Sequence, residues 1–230
     1  MRVLMVASDR REFRGILAYM EEPRTISLGV DWARAGKLNG NDALLVANGV
    51  GRRRAAEAVD AASTIFAAER IASIGFCGAL DPALAIGDVV IGTCITAGNH
   101  RYPVFPVTGN ASATGPICSI DRIARTAAEK SKLREKGCIA VEMEAGGVAE
   151  RAKSLGLPVS CVKVVTDLAG EDLANDFNRA LRSDGHFATM RIFRDALRHP
   201  AVRLPELIRL QQHCARAART LGEFFADCRF

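Results

Sequence analysis

Along the chain, short apolar runs alternate with stretches whose apolar residues recur every three or four positions. Val3–Ala7, Ala43–Asn48, Ile71–Phe76, Asp88–Ile95 and Pro158–Thr166 are short and rich in Val, Ile and Leu, which predicts strands buried in a sheet. Helical spacing predicts helices near Arg11–Met20 and over Arg52–Glu69, Asp121–Lys136, Ala145–Leu155 and Asn178–Leu197. A last helix is expected after Pro205, carrying Leu207, Ile208, Cys214, Leu221 and Phe225. Alternation from Ile26 to Asn39 ends at Asn39-Gly40, a hairpin turn signal. Strands interleaved with helices predict an α/β fold, a three-layer α/β/α sandwich with helices on both faces of a mixed sheet. No repeat or low-complexity linker divides the 230 residues, a length that supplies one full core, so a single domain over 1–230 is expected.

Composition narrows the classes of function. Only 6% of residues are aromatic, which disfavours a base-stacking nucleic-acid platform. The formal charge is +5, but residues 189–230 alone hold eight Arg, no Lys and four acids. The basic excess therefore belongs to an Arg-rich helical C-terminal extension rather than to the whole chain. No apolar run reaches the roughly 18 residues of a membrane span, and Met1–Ala7 is too short for a signal-peptide core. Seven Cys, with no CxxC pair and no His at ligand spacing, suit reduced thiols in a cytoplasmic protein and offer no readable zinc site.

In α/β folds ligands sit beyond the carboxyl ends of strands, which selects Ser8–Glu12, Gly49–Arg54, Gly75–Leu80 and Thr166–Asp172. Several residue groups there, or at the next strand-to-helix junction, could carry chemistry. In Val141-Glu142-Met143-Glu144-Ala145, an extended segment would send both carboxylates to one side, where they could grip a sugar diol while Met143 packs its apolar face. The same acids also suit the positive end of the following helix. The strand ending in Thr166-Asp167 could present a partly desolvated acid, or simply cap the next segment. Glu12 could hold a water, and Arg10, Arg11 or Arg14 an anion, or the segment is a solvated first turn. Around Gly78, small residues let a ligand approach the backbone. Cys77 lacks a local base to make it a nucleophile, and Gly49-Val50-Gly51 lacks the third glycine of a dinucleotide fingerprint.

Taken in order, these segments resemble the nucleoside phosphorylase/nucleosidase superfamily, and within it the methylthioadenosine/S-adenosylhomocysteine nucleosidases. The resemblance covers residues 1 to about 175, and its specific part is Val141–Ala145 followed some twenty residues later by Thr166-Asp167. It implies a sheet that is partly barrel-like and cleavage of the N-ribosidic bond of a purine nucleoside. By position it implies that Asp167 protonates the departing base with Thr166 in support. Glu144 would grip the ribose hydroxyls, Met143 would pack under the sugar, and Glu12 would orient the attacking water. Glu142 and Gly78 fall among the substrate-contacting positions, and Ile123 stands where an aromatic often stacks on the purine. Two further departures are Phe76, where a Ser or Thr is frequent, and Lys163, where an Arg is usual. Thr126–Leu133, Ser183-Asp184-Gly185, Leu197–Pro200 and Leu204–Leu210 also resemble a narrower branch, the hopanoid-biosynthesis-associated phosphorylases, which implies adenosylhopane, a lipid-linked adenosine, as substrate.

Such chemistry requires no metal or redox cofactor, and phosphate enters only as the co-substrate of a phosphorylase. Glu12 would repel phosphate, favouring hydrolysis, whereas Arg10, Arg11 and Arg52–Arg54 leave phosphorolysis open. A non-catalytic nucleoside- or lipid-binding protein on the same fold is the remaining alternative. The expected partners are a nucleoside and further copies of the chain, as a dimer or higher homo-oligomer, with no nucleic acid. The C-terminal basic face would meet either solvent or an anionic membrane surface.

Overall fold

In the computed structural model, which describes residues 1–230, the first strand, β1 (Arg2–Ala7), sends Leu4 and Val6 to one core cluster and Val3, Met5 and Ala7 to another, all of them buried. That is the mark of a strand covered on both faces. A 3-10 turn (Arg10–Phe13) and a single helical turn, α1 (Arg14–Leu17), follow. Next come β2 (Glu21–Thr25), β3 (Trp32–Leu38), β4 (Asn41–Ala47), α2 (Arg52–Ser63), β5 (Arg70–Ala79), β6 (Val89–Ala97), β7 (His100–Pro103) and β8 (Ala113–Ser119). The chain continues through α3 (Ala127–Arg134), β9 (Ala140–Glu142), α4 (Ala145–Ser154), β10 (Val159–Asp167), α5 (Phe177–Ala180), α6 (Thr189–Ala196) and α7 (Pro200–Asp227).

The strands form one mixed sheet in the order β10-β6-β8-β9-β5-β1-β4-β3-β2. β10 also pairs with β5, so β5, β10, β6, β8 and β9 close into a barrel while β1, β4, β3 and β2 run outward from β5 as an open sheet. One face is covered by Ala55, Ala58, Val59 and Ala62 of α2 with Val148, Ala149 and Ala152 of α4. The other is covered by Phe13, Ile16 and the Ala217, Leu221, Phe224 and Phe225 face of α7. This is the expected three-layer sandwich with a partly barrel-like sheet. The stretch 189–230 divides between core and surface, because the second half of α7 lies in the core while Met190 and Phe193 of α6, and Leu197 just after it, are exposed. No helix is long and apolar enough to cross a membrane.

Several elements differ from the pattern-based expectation, each for a local reason. The helix expected from Asp121 starts at Ala127, because Thr126 and Glu129 form a reciprocal capping box there. α2 stops at Ser63 rather than Glu69, where the Ser63 and Thr64 hydroxyls fold back onto the carbonyls of Val59 and Ala61. The helix expected over Asn178–Leu197 is two helices separated by a turn in which Gly185 has φ +80°. The last helix begins at Pro200, and Pro205 lies inside it, facing the exposed Ala201 whose carbonyl can turn to water. Instead of one helix over Arg11–Met20, the chain makes the short turn and α1.

Candidate active site

Parallel pairing of β5 with β10 sets Lys163 opposite Gly75, Val165 opposite Cys77 and, after an irregularity, Asp167 opposite Gly78. The chemistry-bearing side chains collect along this pair and at the ends of β1 and β9.

Glu12, on the turn after β1, is buried, and both of its carboxylate oxygens accept hydrogen bonds. Oε2 accepts from Ser8 N (2.8 Å), Ser8 Oγ (2.8 Å) and Asp9 N (2.9 Å), and Oε1 accepts from Phe76 N (2.8 Å). Three donors crowd Oε2, whereas Oε1 accepts from one and keeps a lone pair for a further donor. Burial raises the Glu12 pKa, while these donors and the Lys163 charge draw it back, leaving it above the usual carboxylate value. The neighbouring strand must make room for it. Gly75 sits at φ +126°, and a Cβ there would meet Glu12 Oε1 at 2.3 Å.

Glu142 ends β9, and its Oε2 accepts from the Glu144 and Ala145 N–H groups (3.0 and 2.8 Å), capping α4. The same oxygen pairs with Lys163 Nζ at 2.9 Å, both side chains being 1% exposed. Lys163 also donates to the Ile74 carbonyl at 2.9 Å. Burial alone would discharge this lysine, but Glu142, with Cys161 and Glu144 further off, holds its pKa above the ordinary value. Glu142 Oε1, also buried, makes no hydrogen bond within the protein. Glu144 is the residue before α4 and accepts from Gly51 N at 2.9 Å, which ties β9 to the start of α2. Burial, and then the Glu142 charge, push its pKa up to about 8. In this acid pair, then, one Glu142 oxygen caps the helix, one Glu144 oxygen accepts from Gly51, and Glu142 Oε1 is left without a donor. Met143 between them is buried.

Asp167 stands at the far end of β10, its side chain 15% exposed. Thr166 Oγ1 lies 3.4 Å from Asp167 Oδ1 and 3.3 Å from the Cys77 carbonyl. A Cβ at Gly78 would fall 2.8 Å from Asp167 Oδ2, so this glycine is what lets the carboxylate lie against β5. Sequence reasoning missed the partner of that oxygen. Lys130 of α3 is fully buried, and its Nζ reaches Asp167 Oδ2 at 2.6 Å. Ile123 sits on the loop before α3, where Asn178 grips it from across the chain: Ile123 N donates to Asn178 Oδ1 (2.8 Å) and Asn178 Nδ2 donates to the Ile123 carbonyl (3.0 Å). From there the segment leading to α6 returns to the end of β4, where Val50 N donates to the Gly185 carbonyl at 2.8 Å.

The structure thus gathers Glu12, Glu142 and Glu144 around Lys163, and Thr166 and Asp167 around Gly78, with β5 as the shared wall. The arginines that could have cradled an anion are mostly committed elsewhere. Arg11 pairs with Asp9 (2.9 Å), Arg52 with Glu150 (2.8 Å), Arg53 with Glu57 (2.5 Å) and Arg54 with Asp31 and Glu57 (3.1 Å each). Cys77 is buried and its thiol pKa is pushed well up by burial and by Asp167, the opposite of an activated nucleophile.

Comparison with known proteins agrees with this architecture. The chain is 24% identical over 211 residues to the 5′-methylthioadenosine/S-adenosylhomocysteine nucleosidase of Glaesserella parasuis serovar 5 (strain SH0165), covering 79% of this chain and 92% of that one. It is 25% identical over 222 residues to the nucleosidase of the same name from Aeromonas salmonicida (strain A449), covering 83% and 96%. Its fold is similar to that of the Neisseria meningitidis nucleosidase solved with methylthio-immucillin-A, with a TM-score of 0.72, 21% identity and 98% of each chain covered. It is also similar to a Helicobacter pylori futalosine hydrolase mutant, with a TM-score of 0.68, 15% identity and 96% of each chain covered. The family model of the phosphorylase superfamily matches residues 2–111 and 107–191, and the chain belongs to that superfamily.

Proposed function

We propose that this protein is a nucleosidase that hydrolyses the N-ribosidic bond of a purine nucleoside of the adenosyl type. The observation that carries the reading is the placement of two carboxyl groups on one strand: Gly75 and Phe76 of β5 receive Glu12, and Gly78 receives Asp167. At about 3.3 Å per residue, Gly75 and Gly78 are about 10 Å apart along the strand; in this reading Asp167 meets the base and Glu12 faces the sugar. As the C–N bond breaks, its electron pair goes to the base, which takes the Asp167 proton. Water adds to the anomeric carbon and gives a proton to Glu12, through the lone pair left on Oε1. Glu12 then releases its proton to solvent and Asp167 takes one up, which restores both groups for the next turnover. The unpartnered Glu142 Oε1 and the Glu144 carboxyl receive the ribose hydroxyls, whose binding removes the cost of a buried acceptor without a donor. Met143 packs the sugar and Ile123 the base.

Hydrolysis is favoured over phosphorolysis because Arg11 and Arg52–Arg54 are paired with acids and Glu12 occupies the attacking side. A panel of methylthioadenosine, adenosylhomocysteine, futalosine, inosine and a lipid-linked adenosine, read for free base, tests the assignment. Release from an adenosine-based member supports it, and tight binding of all five without turnover marks a non-catalytic binding protein instead.

A lipid-linked substrate of the adenosylhopane type belongs to this reading as its finer form. It draws on the surface of α6 and the start of α7, where exposed Met190, Phe193, Leu197 and Val202 alternate with Arg191, Arg194 and Arg198. Apolar side chains flanked by arginines suit the face of an anionic bilayer. Co-sedimentation with anionic but not neutral vesicles is the expected result, and equal binding to both, or to neither, rejects it. Assembly as a homo-oligomer is part of the same proposal, and light scattering of a purified monomer would overturn it.

A further inference from the structure

Lys130 is a fully buried lysine on a helix that touches the site at one point. Its ammonium has three donors, and three acceptors surround it: Asp167 Oδ2 at 2.6 Å, the Leu168 carbonyl at 2.6 Å and the Glu171 carbonyl at 3.2 Å. No donor is left for solvent, so the charge is buried with full compensation, an arrangement costly to build and costly to break from one side. Two of these bonds, to the Leu168 and Glu171 carbonyls, suffice to pin the loop to α3; the third, to Asp167 Oδ2, is what ties the lysine to the acid. The loop Leu168–Glu171 is bound to the same ammonium, which therefore fixes the acid and the chain that follows it as one unit.

We infer that Lys130 is the positioning residue for Asp167. This rests on the proposed nucleosidase chemistry and deepens it. With Oδ2 held by Lys130, the rotation of the carboxyl group is fixed and Oδ1, beside Thr166 Oγ1, is turned to the departing base. When the proton leaves Oδ1 for the base, Asp167 is left as a carboxylate in a largely dry site. Lys130 already stands beside the charge that forms, so no solvent need reorganise in the transition state. The interaction strengthens as the C–N bond breaks, which places its effect on kcat rather than on substrate binding.

The test uses the full chain with methylthioadenosine or adenosylhomocysteine, whichever the unmodified protein cleaves, and folding is checked by circular dichroism. In Lys130→Met, which keeps the length without the charge, kcat should fall about 100-fold while KM changes by less than about threefold. In Lys130→Ala, methylamine or ethylamine should enter the space left by the side chain and restore kcat at least about tenfold in a saturable manner. A folded Lys130→Met with kcat near that of the unmodified chain overturns the inference, as does a loss expressed in KM alone. A folded Lys130→Ala that no amine restores overturns it too. These outcomes leave the nucleosidase reading standing, because the unmodified chain is the internal control. If that control releases no base from any member of the panel, the function itself fails and this role for Lys130 fails with it.

Discussion

At the scale of single residues, the site is built from clashes avoided as much as from bonds made. Gly75 combines a positive φ with a Cβ position 2.3 Å from Glu12 Oε1. Gly75→Ala is therefore expected to displace the carboxylate and lower kcat about 100-fold or more, since a shift of about 1 Å in a reacting group has that consequence. Steady-state kinetics beside a thermal melt would separate this from unfolding, and an alanine variant of normal kcat would deny Glu12 its role. The buried Glu144 carries a second consequence. An unfolded glutamate ionises near 4.5, whereas in the folded chain this one holds its proton to about 8. Between those values the unfolded state binds fewer protons, so the stability supplied by neutral Glu144 is full below pH 4.5 and lost as pH rises through 8. Glu12, also raised, acts in the same direction. The melting temperature of the ligand-free protein is expected to fall from pH 5 to pH 8, and Glu144→Gln should flatten that slope; an equally steep slope in the variant would assign the effect elsewhere. Glu12, Glu142, Glu144, Thr166 and Asp167 were legible in the sequence because each follows a readable strand or falls within a distinctive string. Lys130 was not, because on sequence it is one lysine among Lys130, Lys132 and Lys136, and its burial depends on a strand end some forty residues away.

At the scale of elements, α7 governs the site through α1. Gly222 and Gly15 meet where the two helices cross, and a Cβ on Gly222 would lie 2.3 Å from the Gly15 carbonyl carbon. The turn bearing Glu12 leads directly into α1, so separating the helices moves the carboxylate. Gly222→Ala is expected to cost about 1–3 kcal/mol by overpacking and to lower kcat at the same time. Urea unfolding and kinetics check the pair, and a loss of stability with kcat intact would break the link from α7 to Glu12. Elements whose pattern was weak went unread. β2 contains Pro23 and has no buried residue, and β8 is interrupted by Gly115-Pro116, so neither shows the apolar run of a central strand. The strands that carry the site, β1, β5 and β10, were read because burial on both faces makes them almost continuously apolar.

At the scale of the whole molecule, alternating strands and helices implied a layered α/β fold, while closure of β5, β10, β6, β8 and β9 into a barrel came only from the family resemblance. Closure depends on β10 pairing with both β5 and β6, a register between distant segments that no local pattern encodes. It also sets the end of β10 beside Gly78, which β9 pairs from the other side, and beside Lys130 of α3, which is how one barrel rim comes to hold Asp167 together with Glu142 and Glu144. The arginines divide between two settings: near the site Arg11 and Arg52–Arg54 are paired with acids, and those of α6 lie on an exposed, partly apolar surface. The central claim is that Asp167 protonates a purine leaving group while water attacks. Its most direct test is release of free base and free sugar from methylthioadenosine and adenosylhomocysteine, with and without phosphate, by the unmodified chain and by Asp167→Asn. The account predicts release that is independent of phosphate and about 100- to 10,000-fold slower in Asp167→Asn. Release that requires phosphate, or that proceeds unchanged in Asp167→Asn, would contradict it.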